Sequence, residues 1–493
     1  MYLEVRLISN TSSKTIALVN PNQLKPPISP VGLEYIAEVL SESGHDIIWI
    51  DLCFSDNWEE TLKNYLSISN PDCIGISLRN IDEAMMGSQI FYVDFVNTVI
   101  QLCRQLSNAP IFLGGAGFSI APCEILNYTG ADFGFIGNGV NCITDFIEVM
   151  DRNTYKEFPG CIYRESTGNI HLNPPRGNLT NRYTSFQPHR NFADINKYFV
   201  EGGQIGIETK RGCSQQCIYC VESSLGHSAI ELRNPSAVVF EIEQLVDKGI
   251  NVFHWCDSEF NIHIEHALKI CNELIKSGIN KKIKWYTYCS PVPFTEELAF
   301  LMEEAGCVGI NFGVDSLHND ILRLLHKPHK YEDIQQLIRI LRKTHIAIMF
   351  DLLLGSPREN RETALFTIEN AMKLKPDALG ISFGVRLYPC TTLGKNVLSL
   401  HQKGINLNKF LYGIPIEENK NLLFPTYYLS DKLDKDFFDY LRKIVKDQSS
   451  VFLSLPSTEE GSYSYCNHDY LINAIKNGAR GAYWDILRTR TLS

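Results

Sequence analysis

The chain has 493 residues, of which 44% are hydrophobic and 21% are charged, and its formal net charge at pH 7 is −10. A chain of that length is too long to form a single hydrophobic core and indicates about two to four domains. The net negative charge argues against nucleic acid or an anionic membrane surface as the main partner. No apolar run approaches the ~18–20 residues that a membrane helix requires, and the first residues lack the layout of a secretion signal. Most of the fifteen cysteines are scattered singly through apolar patterns, which is typical of reduced core cysteines in the cytoplasm.

Short apolar strands alternate with helical patterns in residues 15–150. Helical spacing occurs at 30–40, from about 86 to 106 and at 143–150. The alternation predicts an α/β domain over residues 1–150, with an open parallel sheet and helices on both faces. Ligands of such sheets bind at the carboxyl ends of the strands. The predicted strands are residues 15–20, 46–51, 72–77, 110–114 and 131–136.

Glycine and polar residues collect in the loops at these strand ends. Glycines let the backbone approach a flat or phosphate-bearing ligand closely, although a Gly-Gly-x-Gly turn is also an ordinary tight connection between a strand and a helix. The strand-end residues predicted to contact a cofactor are Arg79, Asn80, Gly114, Gly115, Gly117, Ser119, Gly137 and Asn138. For Arg79 the alternative is an exposed loop arginine that binds nothing.

Residues 151–199 are rich in loop-forming sequence and are predicted to be an irregular linker. The β/α alternation then resumes and predicts a partial (β/α)6 TIM-type barrel over residues 200–393, whose chemistry lies at the carboxyl ends of its strands. Residues 394–493 are expected to form a small, mostly helical C-terminal module that shapes the substrate pocket. The six predicted barrel strands are residues 206–209, 252–256, 284–288, 308–313, 347–354 and 378–383.

Three cysteines share one loop directly after the first barrel strand. Cys213, Cys217 and Cys220 have the spacing Cys-x3-Cys-x2-Cys. Three soft thiolates can hold three corners of a cubic iron–sulfur cluster and leave one iron open, as a reacting cluster needs. The alternatives are a zinc site completed by His227 and three unrelated core cysteines.

This cysteine spacing, the strand before it and Tyr219 resemble the radical S-adenosylmethionine (radical SAM) enzymes over about residues 198–393. In that family the open iron of a [4Fe–4S] cluster is chelated by the amino and carboxylate groups of SAM. The resemblance therefore implies both the cluster and SAM as cofactors, with the three cysteines as metal ligands.

The same resemblance implies that polar residues ending successive barrel strands bind SAM. A strand-end cap or a salt bridge is the alternative for each of them. The expected SAM-binding residues are Asp257, Ser258 and Glu259 for the amino group or ribose, Asp315 and Ser316 for the ribose, Gly355 beside the adenine, and Arg386 for the carboxylate.

Tyr286, Tyr288 and Tyr388 are expected to line the cavity above the cluster, with strand aromatics of the core as the alternative. Cys390 is a candidate hydrogen donor or axial group, with a plain loop cysteine as the alternative; Tyr286, Tyr388 and Cys390 are the candidate catalytic residues.

Residues 1–150, placed upstream of such a core, resemble the Rossmann-like cobalamin-binding domain of the class B (B12-dependent) radical SAM enzymes. Two features depart from the wider pattern. The Asp-x-His-x-x-Gly motif, which gives a histidine to cobalt in many B12 proteins, is absent, and Gly137-Asn-Gly-Val140 stands where the family often has Gly-Glu-Gly-Glu. The resemblance therefore implies base-off cobalamin with Arg79 and Asn80 near its lower face, where a guanidinium cannot ligate cobalt because it stays protonated.

The resemblance further implies a methyltransferase that moves a methyl group from SAM, via methylcobalamin, to a carbon of a small molecule or natural-product precursor. It also implies an external electron donor and no nucleic-acid or membrane partner. The loops at 20–27, 51–54 and 77–82 look most like those of the tryptophan 2-C-methyltransferase branch. The alternatives are a B12-dependent radical SAM enzyme that catalyses cyclisation, rearrangement or SAM-derived alkyl transfer, a non-catalytic cobalamin- or metal-binding protein, and a tRNA-modifying enzyme, although the latter usually adds a basic module.

Overall fold

The structure is a computed structural model, and it describes residues 13–88, 90–150, 153–165, 167–174, 181–224, 230–446, 448–454 and 469–489. Within these ranges no helix is long and apolar enough to cross a membrane.

The first domain is built on a seven-stranded sheet with the order β2-β1-β3-β4-β5-β6-β7. The first five strands are parallel, as predicted, and the last two add an antiparallel hairpin at the edge. That hairpin lies in the segment predicted to be irregular, so the prediction was wrong there: the strands are three or four residues long and too short to give a clear periodicity. The strands are β1 (Thr15–Asn20), β2 (Asp46–Asp51), β3 (Cys73–Ser77), β4 (Ile111–Gly114), β5 (Phe133–Phe135), β6 (Cys161–Arg164) and β7 (Ile170–Leu172).

Helices cover both faces of this sheet. On β1, Ala17 and Val19 enter one hydrophobic core while Ile16 and Leu18 enter the other, which explains why the strand reads as a continuous apolar run. The third helix begins at Val93 rather than near residue 86, because a bridge between Asp82 and Phe91 draws the chain before it into a loop. The helices are α1 (Val31–Glu42), α2 (Trp58–Ser69), α3 (Val93–Leu106), α4 (Ala116–Ile120), α5 (Pro122–Thr129) and α6 (Ile143–Val149).

The second domain is a partly closed parallel barrel with the strand order β19-β15-β14-β13-β12-β11-β8. The six predicted strands are present, and the C-terminal module adds a seventh, which pairs with β15. The barrel strands are β8 (Gly206–Ile207), β11 (Val252–Trp255), β12 (Lys284–Cys289), β13 (Cys307–Asp315), β14 (Ala347–Leu354), β15 (Ala378–Phe383) and β19 (Val451–Ser454). The helices around them are α10 (Pro235–Asp247), α11 (Ile264–Ser277), α12 (Glu296–Glu304), α13 (Asn319–Leu324), α14 (Tyr331–Leu341) and α15 (Arg361–Leu374).

Smaller elements connect and close these two bodies. Two antiparallel strands flank the cysteine loop, and a three-stranded sheet lies beyond β15. The last helix packs Trp484 into the lower end of the barrel. The connecting helices are α7 (Arg182–Ser185), α8 (Ile195–Val200) and α9 (Val221–Ser224). The C-terminal helices are α16 (Thr392–Gln402), α17 (Lys435–Val445), α18 (Asp469–Lys476) and α19 (Tyr483–Arg488). The remaining strands are β9 (Lys210–Arg211), β10 (Glu231–Leu232), β16 (Val385–Arg386), β17 (Leu411–Gly413) and β18 (Thr426–Tyr428).

A buried ionic network joins the first domain to the barrel. Arg190, from the connecting segment, binds Glu34 of α1 with 2.6 Å between Nη2 and Oε2 and Glu241 of α10 with 2.8 Å between Nη1 and Oε1. All three side chains are fully buried. Because the loss of any one of them would leave an uncompensated buried charge, this network firmly links α1 of the first domain to α10 of the barrel.

Candidate active site

The three cysteines of the Cys-x3-Cys-x2-Cys sequence lie on one loop at the barrel mouth. The loop leaves β9 through Gly212, whose φ of +90° suits glycine, and a turn between Cys217 and Cys220 closes it with a backbone hydrogen bond of 3.1 Å. Cys213 and Cys217 are buried, and Cys220 is half-buried. One short loop thus gathers three soft sulfur donors at the end of β9.

Charges surround this loop. Burial raises the pKa of the Cys217 thiol to about 12, and Lys327 opposes that rise. A thiol of this kind loses its proton when it binds a metal, because the metal binds the thiolate. Two lysines, Lys210 and Lys327, are both almost fully buried next to the loop. They would offset the negative charge of three thiolates.

The donor set fits an iron–sulfur cluster. Within the described ranges, no group of three or more His, Cys, Asp or Glu side chains is arranged to hold a single metal ion. His227, the predicted fourth ligand of a zinc site, lies outside the described residues. Three soft thiols on one short loop are the donor set that binds three irons of a cubic cluster, one thiolate to each iron.

Glu259 and Lys210 each place at the mouth a buried polar atom that has no hydrogen-bond partner among the described residues. Glu259 is half-buried, and its buried Oε2 has no hydrogen-bond partner in the part of the chain that the structure describes. Desolvation raises the pKa of Glu259 to about 7, against the pull of Lys327 and Lys210. The Nζ of Lys210 is buried and equally lacks a hydrogen-bond partner among the described residues. A buried acceptor atom and a buried ammonium that lack hydrogen-bond partners among the described residues fit a zwitterionic ligand group.

Sequence reasoning missed Lys210 and Lys327. Lys210 stands three residues before Cys213 on a strand of only two residues, so its inward position was not visible from periodicity. Lys327 follows α13 and reaches back to Asp315, with 3.3 Å between Nζ and Oδ2. Asp315 also accepts a hydrogen bond from Tyr219 in the cysteine loop. The predicted ribose ligand Asp315 is therefore engaged by the protein.

Two other predicted SAM ligands act as caps in the structure. Asp257 accepts hydrogen bonds from the backbone amides of Thr209, at 2.8 Å, and Lys210, at 3.2 Å, so it fixes the strand that leads into the cysteine loop. Ser316 lies 2.9 Å from the hydroxyl of Thr367 on α15 and is fully buried. These placements correspond to the strand-end-cap alternative and argue against direct ligand contact. Ser258 lies half-buried between its neighbours.

The predicted contact of Arg386 with the SAM carboxylate is corrected by the structure. Its Nε donates to Asp82 of the first domain at 2.7 Å, and its Nη2 donates to the backbone oxygen of Leu423 at 2.9 Å. Tyr388 also donates to Asp82, at 3.3 Å. Arg386 and Tyr388 therefore join the two domains through Asp82.

The other candidate catalytic side chains are also placed by the structure. Tyr286 lies in the lower end of the barrel, where its hydroxyl donates to Asp485 at 2.7 Å and its ring packs near Trp484. This position corrects the prediction that Tyr286 lines the cavity above the cluster. Cys390 is half-buried, and burial raises the pKa of its thiol to about 11, so it is protonated at neutral pH.

Gly355 ends β14 in a tight turn. Its φ is +101°, and its amide donates to the carboxylate of Glu359 at 2.6 Å. An added Cβ would lie 2.7 Å from a Leu429 methyl group. The glycine is thus required by the protein's own turn.

A cavity of about 350 Å3 lies at the carboxyl ends of β1 and β3. These two strands sit where the order of the sheet reverses direction, which is where such sheets bind ligands. The lining residues are Pro21, Asn22, Gln23, Leu24, Ser77, Leu78, Arg79, Asn80, Tyr92, Phe95 and Val96. Arg79 and Asn80 are therefore wall residues of this cavity, and their contact with a cofactor stays a prediction.

The glycines at the carboxyl ends of β4 and β5 serve two different purposes. At Gly115 and Gly117 an added Cβ would lie 2.5 Å from the Leu78 oxygen and 2.8 Å from the Asn80 backbone, so these glycines allow two loops to touch. At Gly114 and Gly137 an added Cβ would meet nothing within 4 Å. The open space at these two strand ends fits a large, flat ligand that approaches the backbone.

Two remaining predicted contacts of this domain are engaged by the protein. Ser119 lies on α4 and donates to the Gly115 oxygen at 3.3 Å. Asn138 donates to Glu231 of β10 at 2.6 Å and accepts from Arg211 of β9. Asn138 therefore links the first domain to the strands that flank the cysteine loop.

Known proteins share both halves of this arrangement. The B12 binding domain family matches residues 20–147, and the radical SAM superfamily matches residues 207–371. The tryptophan 2-C-methyltransferase of Streptomyces laurentii is 27% identical, with 97% of this chain and 96% of that protein covered. An uncharacterized methyltransferase of Pyrococcus horikoshii is 24% identical over 85% of this chain and 92% of its own length.

Solved structures give the same result. The radical SAM methyltransferase TsrM of Kitasatospora setae, with cobalamin and a [4Fe–4S] cluster bound, superposes with a TM-score of 0.84 at 26% identity, over 97% of this chain and 98% of that one. Its complex with tryptophan and the SAM analogue aza-SAM gives a TM-score of 0.86 at 27% identity, with the same coverage. These matches confirm the predicted α/β fold, with a Rossmann-like B12 domain followed by a radical SAM barrel, and the predicted enzyme family. The chain therefore belongs to the class B, cobalamin-dependent radical SAM methyltransferases.

Proposed function

We propose that this enzyme methylates a carbon of tryptophan or of a closely related indole amino acid. The observation that carries the proposal is end-to-end similarity to a tryptophan 2-C-methyltransferase, with 97% of this chain and 96% of that protein covered. The likeness to a TsrM complex that contains tryptophan, at a TM-score of 0.86, supports the same substrate class. Because this similarity covers nearly the whole of both chains, it extends over the C-terminal module that is proposed to shape the substrate pocket.

The residues at the barrel mouth are proposed to bind the first two cofactors. Cys213, Cys217 and Cys220 would hold three irons of a [4Fe–4S] cluster. Lys210 would bind an anionic group, the SAM carboxylate or the cluster itself, and Glu259 would bind a cationic or metal group beside it. Glu259 Oε2 and Lys210 Nζ are buried without hydrogen-bond partners among the described residues, which supports these roles, because a buried polar group without a hydrogen bond is unfavourable.

Cobalamin is proposed to bind across the carboxyl ends of β1, β3 and β4. Arg79 and Asn80 form one wall of the cavity there, and the glycine backbone at Gly114 and Gly137 leaves space beside it. When bound, cobalamin supplies the cobalt that carries the methyl group from SAM to the substrate. The chain's own contribution would be to hold the lower face with side chains that cannot ligate cobalt, and to fix the cobalamin domain above the barrel through Asp82 and Arg386.

The remaining parts of the proposal concern the surroundings of the enzyme. We propose that the enzyme receives electrons from an external donor. We propose neither nucleic acid nor a membrane as a partner. No disulfide joins the cysteines within the described ranges, which supports a reducing, cytoplasmic location.

The test is product analysis after anaerobic reconstitution with iron, sulfide and hydroxocobalamin. Wild-type enzyme given tryptophan and SAM with a deuterated methyl group is expected to form tryptophan that carries the deuterated methyl group on carbon. The Cys217→Ala variant should form none, while Asp320→Asn, a change at an exposed carboxylate, should match the wild type. An unmethylated but rearranged or alkylated product would favour non-methylating chemistry, and no conversion of tryptophan would contradict the proposed substrate.

A further inference from the structure

The two buried lysines at the barrel mouth differ in what holds them. Lys210 Nζ has no hydrogen-bond partner among the described residues. Lys327 Nζ instead lies 3.3 Å from Asp315 Oδ2, and its side chain is only 4% exposed. Because a buried ammonium is costly unless a carboxylate balances it, Lys327 is placed by the protein itself, whereas Lys210 is left for a bound group.

The carboxylate that holds Lys327 also holds the cysteine loop. The hydroxyl of Tyr219, in that loop, donates to Asp315 Oδ2, the same oxygen that faces the ammonium. The backbone amide of Ile218 donates to the backbone oxygen of Leu325, at 3.2 Å. Two separate contacts therefore fix the position of the lysine relative to the cysteine loop.

The backbone is strained on both sides of this ion pair. The φ angle is +58° at Asp315 and +59° at His326, the residue before Lys327. Residues other than glycine rarely adopt this left-handed region. Such conformations persist where surrounding contacts hold them, and they cluster at functional sites. The chain thus accepts unfavourable backbone geometry at the two places that bring the lysine and the carboxylate together.

The charge of Lys327 acts on the sulfur donors of the cysteine loop. Among the charged groups around Cys217, Lys327 has the strongest electrostatic effect on the thiol. The ammonium also lies at the end of β13, where an added Cβ at Gly313 would lie 3.8 Å from Lys327 Nζ and 3.5 Å from Glu259 Oε1. A fixed cation favours the reduced form of a nearby iron–sulfur cluster, because reduction adds one negative charge to the cluster.

We propose that Lys327, fixed by Asp315 and Tyr219, is a positioning residue that raises the reduction potential of the cluster bound by the cysteine loop. The inference rests on the proposed function, since it requires that cluster. It gives the two lysines different roles: Lys327 acts on the cluster through space, and Lys210 is available for direct contact with a bound anionic group. Reduction moves one electron from an external one-electron donor to the cluster, so the donor is oxidised and no bond to Lys327 forms or breaks.

The test is the midpoint potential of the reconstituted cluster, measured by electron paramagnetic resonance during titration with titanium(III) citrate. Lys327→Met should make reduction about 10-fold less favourable, which lowers the one-electron potential by about 59 mV. Asp315→Asn should raise the potential, because it removes a negative charge, keeps an acceptor for Tyr219 and tolerates the left-handed backbone. Lys327→Arg should keep most of the wild-type potential, and the exposed Lys276→Met should keep all of it.

Opposite shifts in the two variants are the result that a merely structural role would not give, because loosening the loop would move both potentials in the same direction. Iron content shows that each variant holds its cluster, and equilibrium dialysis should show SAM affinity within about twofold of the wild type for Lys327→Met. If Lys327→Met holds too little iron to be titrated, the Asp315→Asn potential decides: an upward shift supports the inference, and any other result overturns it.

An unchanged potential in an iron-loaded Lys327→Met variant overturns the inference while the proposed function stands. Weaker SAM binding at an unchanged potential also overturns it, because Lys327 would then be a SAM ligand. A wild-type protein that forms no cluster after reconstitution overturns the proposed cofactor site and this inference together.

Discussion

Arg386 of the barrel and Asp82 of the cobalamin domain form a buried ion pair, with 2.7 Å between Nε and Oδ2 and side-chain exposures of 3% and 0%. The two residues are 304 positions apart in the chain. Met86, from the same loop as Asp82, packs on Gly384 at the end of β15, where an added Cβ would lie 2.6 Å from its sulfur. The loop after β3 thus bridges the two domains at the barrel mouth.

Replacing Asp82 by Asn should destabilise the protein. Arg386 would stay buried without its counter-charge, and breaking a buried pair in this way costs about 3 kcal/mol or more. We expect a lower melting temperature by circular dichroism for the cofactor-free protein, and weaker binding of cobalamin. Asp439→Asn is the matched control, because its pair with Arg442 is exposed and should contribute little. Equal melting temperatures for the two variants would show that the pair does not join the domains.

Replacing Lys210 by Met should weaken the binding of an anionic group at the barrel mouth. The buried ammonium faces no hydrogen-bond acceptor among the described residues, and a charge-assisted contact of this kind is worth about 10-fold or more in affinity. SAM binding is measured by equilibrium dialysis on the reconstituted protein, with the exposed Lys276→Met as control. Weaker SAM binding at an unchanged cluster potential identifies the SAM carboxylate as the ligand. A shifted potential with unchanged SAM binding identifies the cluster, and no change in either contradicts the role.

Replacing Gly114 by Val should remove cobalamin and leave the apoprotein intact. A Cβ there meets nothing within 4 Å, so the protein itself tolerates a side chain, whereas a bound corrin would collide with it. Gly115→Val is the contrast: its φ of +102° and a Cβ position 2.5 Å from the Leu78 oxygen should lower the melting temperature even without cobalamin. Cobalamin content is measured from the absorption of protein grown with hydroxocobalamin. Normal cobalamin content in Gly114→Val would place the cofactor elsewhere.

Glu359 should make stability depend on pH. Burial raises its pKa to about 7, against two backbone hydrogen bonds that lower it. The folded state therefore holds the proton more tightly than the unfolded chain, so stability is highest below the unfolded pKa and falls as the pH rises through about 7. Glu359 therefore lowers the free energy of unfolding by about 3 kcal/mol as the pH rises from 4.5 to 7.

The Glu359→Gln variant cannot ionise and should escape this loss. Its melting temperature, taken relative to that of the wild type, should rise between pH 5 and pH 8, since the other titrating groups cancel in the difference. A difference that stays constant over this range would mean that Glu359 ionises normally in the folded protein.

Much of the fold and of the cofactor chemistry was visible in the sequence because it depends on local patterns. Buried strands read as continuous apolar runs, and the three cysteines and the strand-end glycines occupy one short stretch each. Arg79 and Asn80 line the predicted cavity because the carboxyl end of β3 must lie at the switch point of such a sheet.

What the sequence did not reveal depends on distant contacts. Arg386 ends a strand like a ligand-binding residue, but its partner Asp82 comes from another domain. Tyr286 lies on the inner face of its strand, yet only its packing against Trp484 shows that it lies at the lower end of the barrel. Asp351 and Asn311 are single polar residues in apolar strands, and their pairing depends on the register of two neighbouring strands.

The central claim, that the methyl group reaches the substrate through cobalamin held between these two domains, is tested most directly by a single turnover. Enzyme loaded with cobalamin that carries a 13C-methyl group is mixed anaerobically with unlabelled SAM and tryptophan, and the product is analysed by mass spectrometry. We predict that the methyl group of the first product molecule carries 13C. A product that carries only the unlabelled methyl group of SAM, with the label still on cobalamin, would contradict the account.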